Sequence, residues 1–322
     1  MTFPDKEVLF FYSESARMRL KDMAQELQKT SPRLKYTIAV LEQMGLLYAP
    51  YSIFDYSYFG QIVFRVYFKG GYVAEKDKAD ILKKLEENPF VISIYELTGE
   101  YDLAVEMAAP NPSRFNKEIK KITESIPTLN NYKIILNVVT RIYPRSYLTK
   151  KSHAIPDIIV GGDRNVEQFK PDELKVMRWL LENPKIRFSA LAKVTQLNIK
   201  TVMGISKNLQ KRKVIKGFKY NIDTYKLNIN KFRLFLNLHN LSQEREEKLM
   251  NYLLETNEIV QMNRTVGDWD LEVDIEAMEK SRIRALILQL REEFKDVIQT
   301  FNIIEFYQMY KRSFLPKHLF ED

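Results

Sequence analysis

The sequence predicts an α+β fold made of one unit used twice. Three observations carry this reading. Motifs recur at a fixed spacing, each unit opens with three short helical patterns, and each continues into strands that alternate with two charged helices. Thr98-Gly99-Glu100-Tyr101-Asp102 returns as Val266-Gly267-Asp268-Trp269-Asp270, so that Gly267 lies 168 residues after Gly99. The same spacing carries Phe64-Arg65-Val66 onto Phe232-Arg233-Leu234 and Met23-Ala24 onto Leu191-Ala192. Near the ends, Tyr143-Pro144-Arg145-Ser146-Tyr147-Leu148 matches Tyr310-Lys311-Arg312-Ser313-Phe314-Leu315, now 167 apart. The 322 residues divide accordingly into a first helical domain (1–55), a first α/β domain (56–148), a linker (149–169) holding Pro156, Gly161 and Gly162, a second helical domain (170–223) and a second α/β domain (224–322).

In the first helical domain Val8 and Phe11, then Leu20, Met23, Ala24 and Leu27, then Leu34, Ile38 and Leu41 after a Thr30-Ser31 cap fall at helical spacing. In the second, Pro171-Asp172-Glu173 opens a helix with proline and acids where the dipole favours them. Phe188 to Ala192 forms the next, and Asn198 caps a third whose stripe is Val202, Ile205 and Leu209. Leu46-Leu47-Tyr48 and Val214-Ile215 then start short strands. The α/β domains read as strand (Gln61–Phe68; Lys231–Leu238), helix (Glu75–Glu87; Gln243–Glu255), strand (Val91–Leu97; Ile259–Val266), strand from Leu103 and Leu271, helix (Ser113–Ser125; Met278–Phe294) and a long last strand (Tyr132–Ile142; Ile298–Met309). This βαββαβ order is the ferredoxin-like pattern, and the three helices before it are a helix-turn-helix of winged-helix type.

Composition excludes several chemistries. With no cysteine there is no disulfide framework, thiolate metal site or cysteine nucleophile, and a reducing, cytoplasmic setting is expected. His153, His239 and His318 stand far apart without ligand spacing, so neither metal nor cofactor is expected. No apolar run approaches the roughly 18 residues of a membrane span.

The ordered set of motifs resembles the Lrp/AsnC (feast/famine, leucine-responsive) transcription regulators, here as a tandem duplication of the whole unit. The features that carry this are Leu191-Ala192 and Met23-Ala24 in the second helices, the segments Thr30 to Leu34 and Asn198 to Val202 opening the third, Leu41 to Leu47 and Leu209 to Ile215 closing it, and the Gly-x-x-Asp turns. The resemblance implies a sequence-specific regulator of double-stranded DNA, not an enzyme, with an amino-acid-like effector at the turns: Thr98, Gly99, Tyr101 and Asp102, with Gly267, Trp269 and Asp270. Glycine and aspartate there also serve a turn alone. Two alternatives of similar fold stay open: a tetrapyrrole (sirohaem) decarboxylase, and an interaction scaffold that has lost DNA binding.

Charge supports the regulator reading. Residues 2–53 hold 7 Lys/Arg and 6 Asp/Glu, net +1; residues 170–221 hold 13 and 3, net +10. Basicity concentrated on one helix-turn-helix is the footprint of a phosphate-backbone binder. Lys200, Thr201, Met203, Gly204 and Lys207 are expected on its exposed face, and Lys211, Arg212, Lys213 and Lys216 at phosphates. In the first copy Arg33, Lys35 and Tyr36 are the counterparts. The two α/β domains are expected to pack sheet against sheet, in one chain or across a homodimer, which this reading favours.

Overall fold

The computed structural model describes residues 5–70, 75–149, 155–240 and 242–320. The first helical group is α1 (Lys6–Glu14), α2 (Leu20–Glu26) and α3 (Ser31–Gln43), followed by strand β1 (Leu47–Phe54). The second is α6 (Pro171–Glu182), α7 (Phe188–Thr195) and α8 (Ile199–Lys211), followed by β7 (Ile215–Ile222). Local chemistry sets their ends. Asp5 accepts from the Val8 N–H at 3.3 Å, and Asn198 accepts from the Lys200 N–H at 2.8 Å, each satisfying an orphan donor of a first turn. Thr30 stands at the start of α3 without a side-chain cap bond. Along α8, Val202, Ser206 and Leu209 are buried and Ile205 is half-buried, so the stripe is turned slightly from the predicted one.

The two helical groups share one core. β1 and β7 pair antiparallel from Leu47↔Ile222 to Phe54↔Ile215. Leu34, Leu41 and Phe54 of the first group lie in the same apolar cluster as Val176, Leu191, Val202 and Leu209 of the second. Ser52 donates from β1 to the Leu180 carbonyl at 2.5 Å, tying the groups again.

The remaining strands are β2 (Ile62–Phe68), β3 (Val91–Thr98), β4 (Leu103–Ala109), β5 (Tyr132–Ile142), β6 (Ile158–Gly161), β8 (Asn230–Leu238), β9 (Ile259–Val266), β10 (Leu271–Ala277) and β11 (Ile298–Arg312). Helices α4 (Glu75–Glu87) and α5 (Pro112–Ser125) serve the first α/β half, α9 (Gln243–Glu255) and α10 (Lys280–Glu293) the second. The strand order is β2-β4-β3-β11-β8-β10-β9-β5-β6, and β5 also pairs with β2. Eight antiparallel strands therefore close into a ring, with β6 added to β5. The halves join at β3–β11 and β5–β9, within one chain. Outward residues such as Phe64, Val66, Leu103 and Val105 pack under α4 and α5 on Ile81, Leu85, Phe115 and Ile119. Leu234, Val273 and Ile275 do the same under α9 and α10 with Leu249, Leu253, Ile283 and Leu290. The segment expected to be a linker is built in: β6 pairs along Val139–Ile142, Val160 is fully buried, and Phe169 stacks on Phe59 at 4.5 Å between ring centres. Among the described residues no helix is long and apolar enough to cross a membrane.

Inside the ring aromatic residues (Tyr67, Tyr95, Tyr101, Phe235) surround a buried ion network. Arg65 donates to Glu106 through Nε at 2.9 Å and Nη2 at 2.6 Å; Arg233 donates to Asp274 at 2.6 and 2.9 Å. These are the same cross-strand pair at the 168 spacing. Glu272 joins the halves: it takes an ion pair from Arg65, lies 3.4 Å from Arg233, and accepts from Tyr67 at 2.8 Å. A second cluster ties the helical layer to the ring. Buried Arg145 reaches Glu276 at 2.9 Å and Glu14 of α1 at 3.2 Å, and Lys219 of β7 also pairs with Glu14. Burial alone would raise the Glu276 carboxyl, but Arg145 and Lys231 beside it hold it at about 2.

Two outcomes follow. Arg65→Met leaves Glu106 and Glu272 buried without their cation, and urea unfolding is expected to show a loss of about 3–5 kcal/mol, as for other broken buried pairs. Arg19→Met, breaking the exposed Arg19–Asp22 pair, is expected to leave the unfolding midpoint almost unchanged; equal losses in the two variants would rule this reading out. The Glu276 contribution is fully present above the ordinary carboxyl value of 4.5 and is lost as pH falls towards about 2. Stability measured across that window should decline in the wild type and decline less in Glu276→Gln.

Candidate functional site

The largest asymmetry between the halves makes a cleft. β11 pairs with β8 up to Glu305↔Phe232 and then runs on to Arg312 against β3. Beyond Glu305 its other edge faces the turn after β7, and the gap between them is a cavity of about 490 Å³. That volume falls in the ordinary range for small-molecule sites. Tyr225 and Tyr307, 73% and 49% exposed with ring centres 6.1 Å apart, stand at its mouth. Tyr48 and Tyr95 line its wall, and burial pushes both hydroxyls up to about 12, so each keeps its proton at neutral pH.

Four cations line the same space: Arg145, Lys226, Lys231 and Arg312. Glu276, fully buried, organises the floor. It accepts from Arg145 Nε at 2.9 Å and from Tyr147 at 2.8 Å and lies 3.5 Å from Lys231 Nζ. Burial lowers Lys231 below the ordinary lysine value, with Glu276 opposing the shift, which eases release of its proton. Arg312 packs over the Tyr51 ring at 4.6 Å and, among the described residues, has no carboxylate within ion-pair distance. Its Nη2 donates to the Gln261 amide oxygen at 3.5 Å, so an incoming anion would compete with a neutral acceptor and not with a carboxylate. The cleft therefore suits a flat, unsaturated molecule carrying several carboxylates: rings for stacking, cations for acids, and hydroxyl and ammonium groups for proton transfer.

The residues expected to contact DNA lie elsewhere. Lys200, Thr201, Gly204, Lys207, Lys211 and Lys213 are exposed on or just after α8, and Met203 is half-buried. Arg33, Lys35 and Tyr36 are exposed on α3. Arg212 is held by Glu167 and, at 2.6 Å, by Glu173, and Lys216 lies 3.2 Å from buried Asp55. Both thus spend their charge within the protein. Of the turn residues, Thr98 and Gly99 are exposed, whereas Tyr101 is buried 5.2 Å from the Tyr67 ring. Asp102 accepts from the Gly70 N–H, and Asp270 accepts from the Leu238 N–H at 2.7 Å, so in both halves the aspartate ties the turn to the end of a strand 32 residues earlier. Gly99 and Gly267 adopt φ of +120° and +144°, and a Cβ on Gly267 would meet Ile135 Cδ1 at 3.0 Å. Trp269 stacks on Phe235 at 5.1 Å. His239 lines a second cavity with Arg264 and Asp270, and His153 lies outside the described residues. Sequence reasoning missed Tyr48, Tyr95, Lys231 and Glu276, which come from separate strands. Arg145 and Arg312 stand out in the sequence only as matching members of a repeated motif; the fold brings both to one cleft.

No protein-family model matches the chain, and no curated protein does. Among solved structures, siroheme decarboxylase NirDL, in co-complex with an iron-uroporphyrin III analogue, superposes with a TM-score of 0.59 over 96% of this chain and 93% of that one, at 15% identity. A second structure of NirDL gives 0.59 over 97% and 93% at 15% identity. An AsnC family transcriptional regulator from Agrobacterium tumefaciens covers 47% of this chain and 99% of its own, with a TM-score of 0.42 at 18% identity. These findings correct the expectation of a DNA-binding regulator without enzymatic activity. The architecture matched over 96% of the chain is that of siroheme decarboxylase NirDL. Two of the expected phosphate contacts, Arg212 and Lys216, are neutralised inside the protein, and β1 and β7, the wings of the two helical groups, pair with each other. The α+β fold, with three helices and then a βαββαβ strand and helix order met twice along the chain, stands as expected.

Proposed function

We propose that this protein is an enzyme that removes carboxylate groups as CO2 from the side chains of a polycarboxylated tetrapyrrole such as sirohaem, in the cleft beside β11. The observation that carries the reading is the lining of that cleft, with Arg145, Lys226, Lys231 and Arg312 interleaved with Tyr48, Tyr95, Tyr225 and Tyr307. The full-length likeness in architecture to siroheme decarboxylase NirDL supports it. The repeated element order also supports reading the chain as two fused copies of one unit.

The reaction balances as R–CH2–COO⁻ + H⁺ → R–CH3 + CO2. The C–C bond breaks, its electron pair is delocalised into the conjugated ring, and the methylene carbon takes a proton. The protein must hold the spectator carboxylates, leave the reacting one unpaired and desolvated, and deliver the proton. Arg312 and Lys226 are assigned the holding. Lys231, with its lowered proton affinity and its contact with Glu276, is assigned delivery, and Tyr95 the wall against which the ring lies.

Incubation with sirohaem should yield products lighter by successive CO2 groups in mass spectrometry. Arg312→Ala is expected to raise KM roughly ten- to hundredfold, the effect of losing a hydrogen-bonded charge worth about 1.5–3 kcal/mol. Lys231→Ala is expected to lower kcat with little change in KM. Sirohaem left intact by the wild type, together with an unaltered absorbance spectrum of added iron uroporphyrin III, would overturn the proposal.

A further inference from the structure

The counterpart of the cleft in the first half is not empty. At the 168 spacing Tyr48, Lys231 and Glu276 correspond to Lys216, Val63 and Ala108, and the edge of β11 beyond Glu305 corresponds to the edge of β5 near Val139–Ile142. Where the β11 edge faces open space, the β5 edge is paired by β6, with Val139↔Gly161, Thr140↔Val160 and Ile142↔Ile158. We infer that the segment joining the two units plugs the first-half cleft, so that each chain has one functional cleft although its fold supplies two.

The fit is close. Val160 is fully buried, and the Gly161 N–H donates to Asp55 Oδ1 at 2.9 Å while the Gly162 N–H donates to the Val138 carbonyl at 2.8 Å. Gly161 has φ +88°, and a Cβ there would meet the Val138 oxygen at 2.8 Å and the hydroxyl of Tyr56. A side chain at this position has no room, which is why the plug passes the Tyr56 hydroxyl as glycine. On its other side Ile158 reaches within 3.2 Å of the Cβ position of Gly217. The lining has changed with the plug: apolar Val63 and Ala108, both buried, stand where the open cleft has Lys231 and Glu276. Lys216, the counterpart of Tyr48, is turned onto Asp55 at 3.2 Å. A plug of Ile and Val packs in one apolar cluster with Val63 and Ala108, and the same plug would leave the charges of the other cleft unpaired.

The stoichiometry rests on the tetrapyrrole reading; the plug itself does not. Titration of the intact chain with iron uroporphyrin III is expected to saturate at one equivalent per chain, and Lys231→Glu to abolish that binding. Independently, hydrogen exchange is expected to show the β6 amides protected as well as those of β5. Two equivalents per chain, one surviving in Lys231→Glu, would overturn the inference, as would β6 amides exchanging at the rate of an exposed loop. Absence of any binding with β6 still protected would reject the tetrapyrrole reading and leave the plug standing.

Discussion

Two arginines in the centre of a strand ring constrain everything else. Arg65 and Arg233 are each about 1% exposed, and a buried ion without a partner costs several kcal/mol. Each is answered by the residue directly across the neighbouring strand, Glu106 or Asp274, and Glu272 then reaches from the second half to both. A slip of one residue in β10 would turn Glu272 and Asp274 towards the helices and Val273 into the ring, leaving both cations unanswered. The network therefore fixes the register of the strands and holds the two halves to each other within one chain. Glu272 stands where the first half has Ala104, so the join itself is asymmetric.

From that fixed ring the rest follows by extension. β11 is long enough to serve β8 first and β3 afterwards, and the part that outruns β8 supplies Phe306, Tyr307, Gln308, Met309 and Arg312 to the open cleft. The Arg145–Glu276–Glu14 cluster fastens the helical layer over the same region, which brings Tyr48 of β1 to its wall. Helical domains that pair through β1 and β7 act here as walls for a cleft, and their joint core leaves them no independence as separate docking modules.

Much of the fold is legible in the residues. Periodicity places the helices and most strands of the α/β halves, because each element must present one apolar face at its own period. It ends β11 at Met309, three residues before Arg312, and gives only the starts of β1 and β7. Asn198 is a cap by its chemistry, and the Gly-x-x-Asp turns are set by glycine's left-handed backbone. What sequence does not show is pairing at a distance. Ile158 to Gly161 is too short to read as a strand and sits among Pro156, Gly161 and Gly162, so it passes for linker; only the open edge of β5 makes it β6. The candidate site is hidden for the same reason, since Tyr48, Tyr95, Lys231 and Glu276 meet only after the ring closes. The run of lysines and arginines on and after α8 is conspicuous in sequence, yet Arg212 and Lys216 spend their charge on Glu167, Glu173 and Asp55.

Whether the cleft beside β11 receives a polycarboxylated tetrapyrrole is decided by a crystal structure of the protein grown with iron uroporphyrin III. The macrocycle is expected between Tyr95 and the turn carrying Tyr225, with carboxylates on Arg312 and Lys226 and with β6 in place. A macrocycle bound on the exposed lysines of α8, or in the first-half cleft with β6 displaced, would contradict this placement.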